Sequence, residues 1–269
     1  MTAAAAIPTR VIRRLGRWLS MRHALWAELV LVLGLYGLYE VGRSMVAGGR
    51  PVAVRHARDI VSLERTLHWF VEGNVQHTAA YIPGLVGTLG AAYLTFHLAL
   101  TGAVLLWMHS RQPAAYPFVR TTLLFASVLS LAGFLAYPTA PPRLAGIGIA
   151  DTVSNGHVDL NKGLVSSLYN PYAAVPSMHI GYALIVGSSL LLYARRPLVR
   201  VVGALYPPFV LLVVVATGNH FFFDAATGAF VALVAAAAAA PLTRRATPTR
   251  ISRLPSQSQP LHASEQLAA

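Results

Sequence analysis

The sequence predicts an all-α integral membrane protein, a six-helix transmembrane bundle with one amphipathic interfacial helix. Three observations lead there. Charged residues make up 11% of the chain and hydrophobic residues 55%, against roughly 25% charge in soluble domains. Six segments approach or reach the ~20 apolar residues that a spanning helix needs. The arginines gather at the ends of those segments instead of along one polar face, which marks them as topology signals. The net charge of +12 therefore predicts no nucleic-acid partner, and membrane lipids are the expected surroundings. The chain has no cysteine, which excludes disulfides and thiol catalysis.

Residues 1–23 are read as a basic cytoplasmic N-terminus. The apolar stretch behind it continues to Val41 and beyond without a small-x-small cleavage site at the distance a secretory signal requires, so it is expected to be a retained anchor. The first span runs from Ala24 to Met45. Within it, Glu28 is expected near the inner interface beside Arg22, and Glu40 three residues before Arg43, where the two should pair. From Val54 to His77, Ile60, Leu63, Leu67, Phe70 and Val71 recur at helical spacing among charged residues, which predicts the interfacial helix.

The second span covers Ile82 to Met108, with Tyr93 and His97 on one face, and the third Phe118 to Tyr137. The fourth covers Ser177 to Tyr193, the fifth Val199 to Thr217, and the sixth Phe221 to Ala240. Pro207 and Pro208 remove backbone donors inside the fifth and are expected to kink it. The membrane domain thus covers residues 24–241. Residues 242–269 are rich in Ser, Thr, Pro and Arg without apolar periodicity, which predicts a disordered cytoplasmic tail.

Arg10 to Arg22, Arg111 with Arg120, Arg195 to Arg200, and Arg244 to Arg253 fall on one side of a six-span topology. That side is expected to be cytoplasmic, with both termini inside. Arg43, Arg50, Arg55, Arg58 and Arg65 fall on the other side, against the rule. Three unusual polar stretches share this extracytoplasmic face: Tyr137 to Leu144, Asn170 to His179, and Gly218 to Asp224.

Each stretch suggests chemistry. In Gly218-Asn219-His220-Phe221-Phe222-Phe223-Asp224, Asn219 is expected to cap the incoming helix, and His220 and Asp224 are spaced to share one helical face. A carboxylate that accepts one imidazole N–H leaves the other nitrogen free to attack an electrophile; a structural hydrogen bond between helix-end residues is the plain alternative. In Ala174-Val175-Pro176-Ser177-Met178-His179 the chain enters a helix, whose free N–H groups and dipole suit a phosphate. Ser177 adds a donor, and His179 in the first turn can protonate a leaving alkoxide. The plain alternative is a capping serine and an interfacial histidine. Tyr137 to Leu144 is a rigid, proline-defined exit that presents Arg143, either to a phosphate or as a snorkelling interfacial cation.

Taken together, the three stretches resemble the phosphatidic acid phosphatase type 2 superfamily, whose members carry an arginine motif, a Pro-Ser-x-His motif and a His-x-x-x-Asp motif in that order. The closer resemblance is to the branch similar to inositol phosphorylceramide synthases, through Pro138-Thr139-Ala140-Pro141-Pro142, Asn170-Pro171-Tyr172-Ala173-Ala174, Ser177-Met178-His179 and Gly218-Asn219-His220. The resemblance implies that His220 is the nucleophile that becomes phosphorylated, that Asp224 orients it, and that His179 protonates the leaving group. It implies that Arg143 and Ser177 hold phosphate oxygens, and that no metal or other cofactor is needed. The implied partner is a lipid phosphate or phospholipid, with water or an alcohol such as inositol as acceptor.

The chain departs from the superfamily pattern at four positions. Ala136 stands where a lysine is usual and Leu144 where a proline is; Val213 and Val214 replace a Ser-Arg pair. Lys162, Arg43 and the amphipathic arginines are candidates to replace the missing cations. Two other readings follow. The chain can be a catalytically silent transport or scaffold protein on the same bundle, or His179, His220 and Asp224 can form a metal site.

Overall fold

The structure is a computed structural model that describes residues 9–45, 49–152 and 170–244. Lys162, the first eight residues and the tail from residue 245 lie outside the described residues. The described chain is helical: α1 (Thr9–Ser44), α2 (Arg50–Thr66), α3 (Glu72–Ala80), α4 (Leu85–Arg111), α5 (Tyr116–Ala136), α6 (Met178–Tyr193), α7 (Pro197–Ala216) and α8 (Phe222–Arg244), with a 3-10 turn at Pro142–Leu144. Six of these occupy the six segments read as spans.

Three of them, α5, α7 and α8, are long and apolar enough to cross a membrane, and α4 joins them when its bend is counted within a single span. α6 is apolar but only 16 residues long, a rise of roughly 24 Å at 1.5 Å per residue. Large apolar side chains project outward, among them Val128, Leu198, Leu233 and Phe230, each at least 65% exposed. Such an exterior is stable only in lipid, where the helices satisfy their own backbone groups. The protein is an all-α membrane bundle.

α6 is the central helix and touches α4, α5, α7 and α8. Small residues let it approach. A Cβ on Gly187 would sit 2.5 Å from the Gly203 carbonyl oxygen on α7, so the α6–α7 contact has backbone nearly against backbone, as membrane bundles favour. α7 continues through Pro207 and Pro208. α1 lies to one side, on α5.

The interfacial segment is two helices, not one. α2 ends in a turn where His68 takes φ 58°, and α3 starts at Glu72. Of the expected apolar stripe, Ile60 packs inward, and Leu63, Leu67 and Val71 are exposed, as the apolar face of an interfacial helix is. The face of α2 that packs inward carries Ala53, Ala57, Ile60, Val61 and Glu64, because small residues admit the closest approach. The Ala140 N–H donates to the Ala53 carbonyl at 3.0 Å, and His56 stacks on Tyr137 at 4.1 Å. The proline-rich exit of α5 is thereby pinned to α2.

Candidate functional site

Two helix starts meet at one end of the bundle. α7 ends at Ala216, and Gly218 turns the chain with φ 68°, where a Cβ would lie 2.8 Å from Ile149. The N–H groups of Asn219 and His220 both donate to the Val214 carbonyl, at 2.9 and 3.2 Å. Val213 and Val214, the departures from the superfamily pattern, are buried just before this turn. His220 stands two residues before α8. Asp224, in the first turn of α8, reaches back to it: Oδ2 lies 3.2 Å from His220 Nδ1 and accepts the Phe221 N–H at 3.0 Å. The pair is therefore made across a helix start, in the manner of a capping box, and not along one helical face as the spacing suggested. Asp224 is fully buried and His220 nearly so.

Asn219 does not cap α8. Its Nδ2 donates to Thr217 Oγ1 at 2.8 Å, and its Oδ1 accepts from Arg143 Nε at 3.0 Å. The α8 N–H groups go instead to carboxylates from distant segments. Phe222 donates to Glu72 Oε1 at 3.1 Å and Phe223 to Glu64 Oε1 at 2.7 Å. Both glutamates are buried. Burial, with the neighbouring Glu72 carboxyl adding to it, raises Glu64 to about 8 against the pull of the Phe223 N–H. Sequence reasoning missed this clamp. One signal existed: Glu64 continues the helical register of Ala53, Ala57 and Ile60.

At the second helix start, Ser177 holds the N-cap position of α6, and its N–H donates to the Asp224 carbonyl at 3.0 Å. Its hydroxyl is buried with no hydrogen-bond partner among the described residues. A Cβ on Gly228 would press on the Ser177 carbonyl and stand 2.9 Å from its carbon, so glycine is what lets α8 lie against the start of α6. His179 follows in the first turn. Its ring centre is 5.6 Å from that of His220 and 4.3 Å from Tyr93, which stacks on it. His97 lies 4.6 Å beyond and stacks in turn on Tyr182 at 5.0 Å. Tyr93 and His97, expected to share a face of their span, do so beside the candidate site.

These groups border a cavity of about 320 Å³ lined by His179, His220, Asn219, Tyr93, His97 and Tyr182, and also by Tyr36, Tyr39, Glu40 and Arg43 from α1. Arg143, Ser177 and Asp224 adjoin these lining residues without themselves lining the cavity. Arg143 is held by the Gly218 carbonyl at its N–H (3.0 Å), by Asn219 at Nε, and by Asp151 at Nη1 (2.9 Å). Among the described residues, no three His, Cys, Asp or Glu side chains converge as donors for a metal.

The opposite end of the bundle is built differently. Arg120 donates to both Glu28 oxygens, at 2.6 and 2.8 Å, and the Tyr116 hydroxyl donates to the same carboxylate at 3.2 Å. Glu28 thus pairs with α5, the helix α1 packs on. At the near end, Glu40 and Arg43 pair as their spacing suggested, at 3.4 Å.

Comparison with curated proteins and with solved structures gives no match. A family model does match, over residues 58–238. That range takes in most of α2, all of α3 to α7 and most of α8, with both histidines, Asp224, Ser177, Arg143 and the Glu64–Glu72 clamp. It exceeds half of the 269 residues, and the chain belongs to the PAP2 superfamily, whose members are phosphatases and phosphotransferases acting on lipid phosphates.

Proposed function

We propose that the protein is a membrane lipid phosphatase or phosphotransferase that works through a phosphohistidine on His220. The carrying observation is the buried Asp224–His220 pair at 3.2 Å with the His179 ring 5.6 Å from His220, all at one cavity. With Nδ1 donating to Asp224, Nε2 of His220 keeps its lone pair for phosphorus. A His220 N–P bond forms as the P–O bond to the lipid alcohol breaks, and His179 gives that departing oxygen its proton. Water or a second alcohol then attacks the phosphohistidine, returns a proton to His179, and frees His220. Hydrolysis and transfer differ only in that acceptor.

Ser177 supplies its unmet hydroxyl to a phosphate oxygen at the start of α6. Arg143 serves the phosphate from behind Asn219, through its charge and by holding that carboxamide at the cavity wall. Resemblance to the inositol phosphorylceramide synthase branch favours a phospholipid donor and an alcohol such as inositol as acceptor. The distribution of basic loops favours a multi-pass protein of the cell membrane with both termini cytoplasmic and this cavity on the extracytoplasmic side.

The test is phosphate release from a panel of lipid phosphates by detergent-purified protein in EDTA, comparing wild type with His220→Ala and His179→Ala. Release by wild type that disappears in both variants supports the mechanism, and undiminished release by His220→Ala overturns it. Silence on every substrate, persisting when inositol and other alcohols are supplied with a phospholipid donor, would favour a scaffold on the same bundle.

A further inference from the structure

We infer that Arg43, in the last turn of α1, is the cation that meets the substrate's phosphoryl group in the His179–His220 cavity. The inference rests on the function proposed for that cavity. Phosphoryl transfer spreads negative charge over the non-bridging oxygens, and positioned cations are the usual means of stabilising it. The chain has replaced the superfamily's lysine by Ala136 and its second arginine by Val214, whose carbonyl is committed to the turn before His220. Arg143 remains, but its side chain is fully buried and bonded to Asn219 and Asp151.

Arg43 is the arginine that lines the cavity together with both histidines. Its position is built and not incidental. The Asn170 amide donates to the Arg43 carbonyl at 3.1 Å, and Asn170 Oδ1 accepts the Tyr172 N–H at 2.9 Å. That segment is joined in turn to the α5 exit, where Thr139 donates to the Tyr172 carbonyl at 2.7 Å and accepts from Ala174 at 3.3 Å. The end of α1 is thus fastened to the same wall that leads into Ser177 and His179. Glu40 lies 3.4 Å from Nη1 and lines the same cavity, so the pair sets the guanidinium at the cavity wall. A planar fork suits two phosphate oxygens as an ammonium would not. Residue 43 lies outside the 58–238 range of the family match, so the cation comes from a helix that the family pattern does not describe.

The experiment uses the full chain in detergent with orthovanadate as phosphate-shaped probe, and the lipid phosphate that wild type cleaves best. Arg43→Gln is expected to weaken vanadate binding at least tenfold and to lower kcat/KM by about 10²–10³, the usual cost of losing one such donor. Arg43→Lys, which keeps the charge and loses the fork, falls between. Added guanidinium ion is expected to restore part of the activity of Arg43→Ala and none to His220→Ala, a rescue that a merely structural role would not give. Should Arg43→Gln melt far below wild type, Arg43→Lys and the rescue decide. Vanadate binding and kcat/KM within twofold of wild type, or absence of rescue in Arg43→Ala, overturn the inference. The outcome is separable from failure of the proposed function, which would show as activity surviving in His220→Ala.

Discussion

Substituting Gly228 by alanine tests whether the contact between two helix starts sets the chemistry. The added Cβ would press on the Ser177 carbonyl and lie 2.9 Å from its carbon, where ordinary carbon contacts need about 3.5–4.0 Å. Both sides are backbone, so no side chain can swing away, and α8 must move about 1 Å from the start of α6. Overpacking of this kind costs about 1–3 kcal/mol. The displacement separates Asp224 and His220 from Ser177 and His179, and about 1 Å of misplacement can cost on the order of 10²-fold in rate. Gly187→Ala is the control. Its Cβ would meet the Gly203 carbonyl at 2.5 Å and Pro207 at 2.9 Å, a comparable clash, but roughly 12 Å down α6 from His179 at 1.5 Å per residue. Phosphate release per folded molecule, with thermal melting in the same detergent, distinguishes the two. Gly228→Ala is expected to lose activity about 10²-fold, and Gly187→Ala to lose stability while keeping activity within a few-fold. Equal activity losses in both, or a fully active Gly228→Ala, would refute the reasoning.

Asp224→Asn keeps the shape but removes the carboxylate charge that supports a positively charged His220 ring; kcat should fall about 10²–10⁴-fold, measured with the same phosphate assay. Ser177→Ala removes a buried hydroxyl that has no partner among the described residues, so melting should be unchanged or slightly higher while phosphate release falls at least about tenfold. Glu64 is raised from its ordinary range to about 8 in the fold, so the folded state holds a proton that the unfolded state has lost. Its stabilising contribution is complete below the ordinary glutamate range and is lost as pH rises to about 8. Melting temperature should therefore fall across that window in wild type, and Glu64→Gln should flatten the fall. Arg120→Met breaks the Glu28 pair at the far end of the bundle, and should cost about 1–3 kcal/mol in melting experiments with activity per folded molecule intact.

Much of the bundle could be read in advance, because long apolar segments between arginines leave the chain few alternatives in a bilayer. The two helix starts were legible for a similar reason: proline followed by serine, and glycine followed by asparagine, punctuate the chain at positions where no side-chain packing is needed to interpret them. What stayed hidden depends on partners far away in sequence. Glu64 and Glu72 reach N–H groups 159 and 150 residues on, and nothing local in the amphipathic segment announces that. The break at His68 falls without glycine or proline, so the helical periodicity ran across it unmarked. Asn219 looked like a cap because its position fits one, and the carboxylates of Asp224, Glu72 and Glu64 took the N–H groups it would have served. Tyr93 and His97 were seen to share a face, but only the packing of α4 on α6 turns that face toward His179.

The two helix starts at the cavity are electrostatically opposite, and that asymmetry suits the proposed chemistry. Both begin with the positive end of a helix dipole. At α8 that end is already answered: Asp224, Glu72 and Glu64 take the N–H groups of Phe221, Phe222 and Phe223. A phosphate arriving there would meet buried carboxyls, so α8 can present His220 as a nucleophile but cannot bind the anion. At α6 no acidic residue stands in the first turn, and the Ser177 hydroxyl has no partner among the described residues. In the proposed chemistry the anion's place is therefore at α6, with His179 beside it as proton donor and His220 as nucleophile from the neighbouring start. Gly228 brings the two within one backbone contact of each other, which is why the bundle puts glycine at that one point of α8.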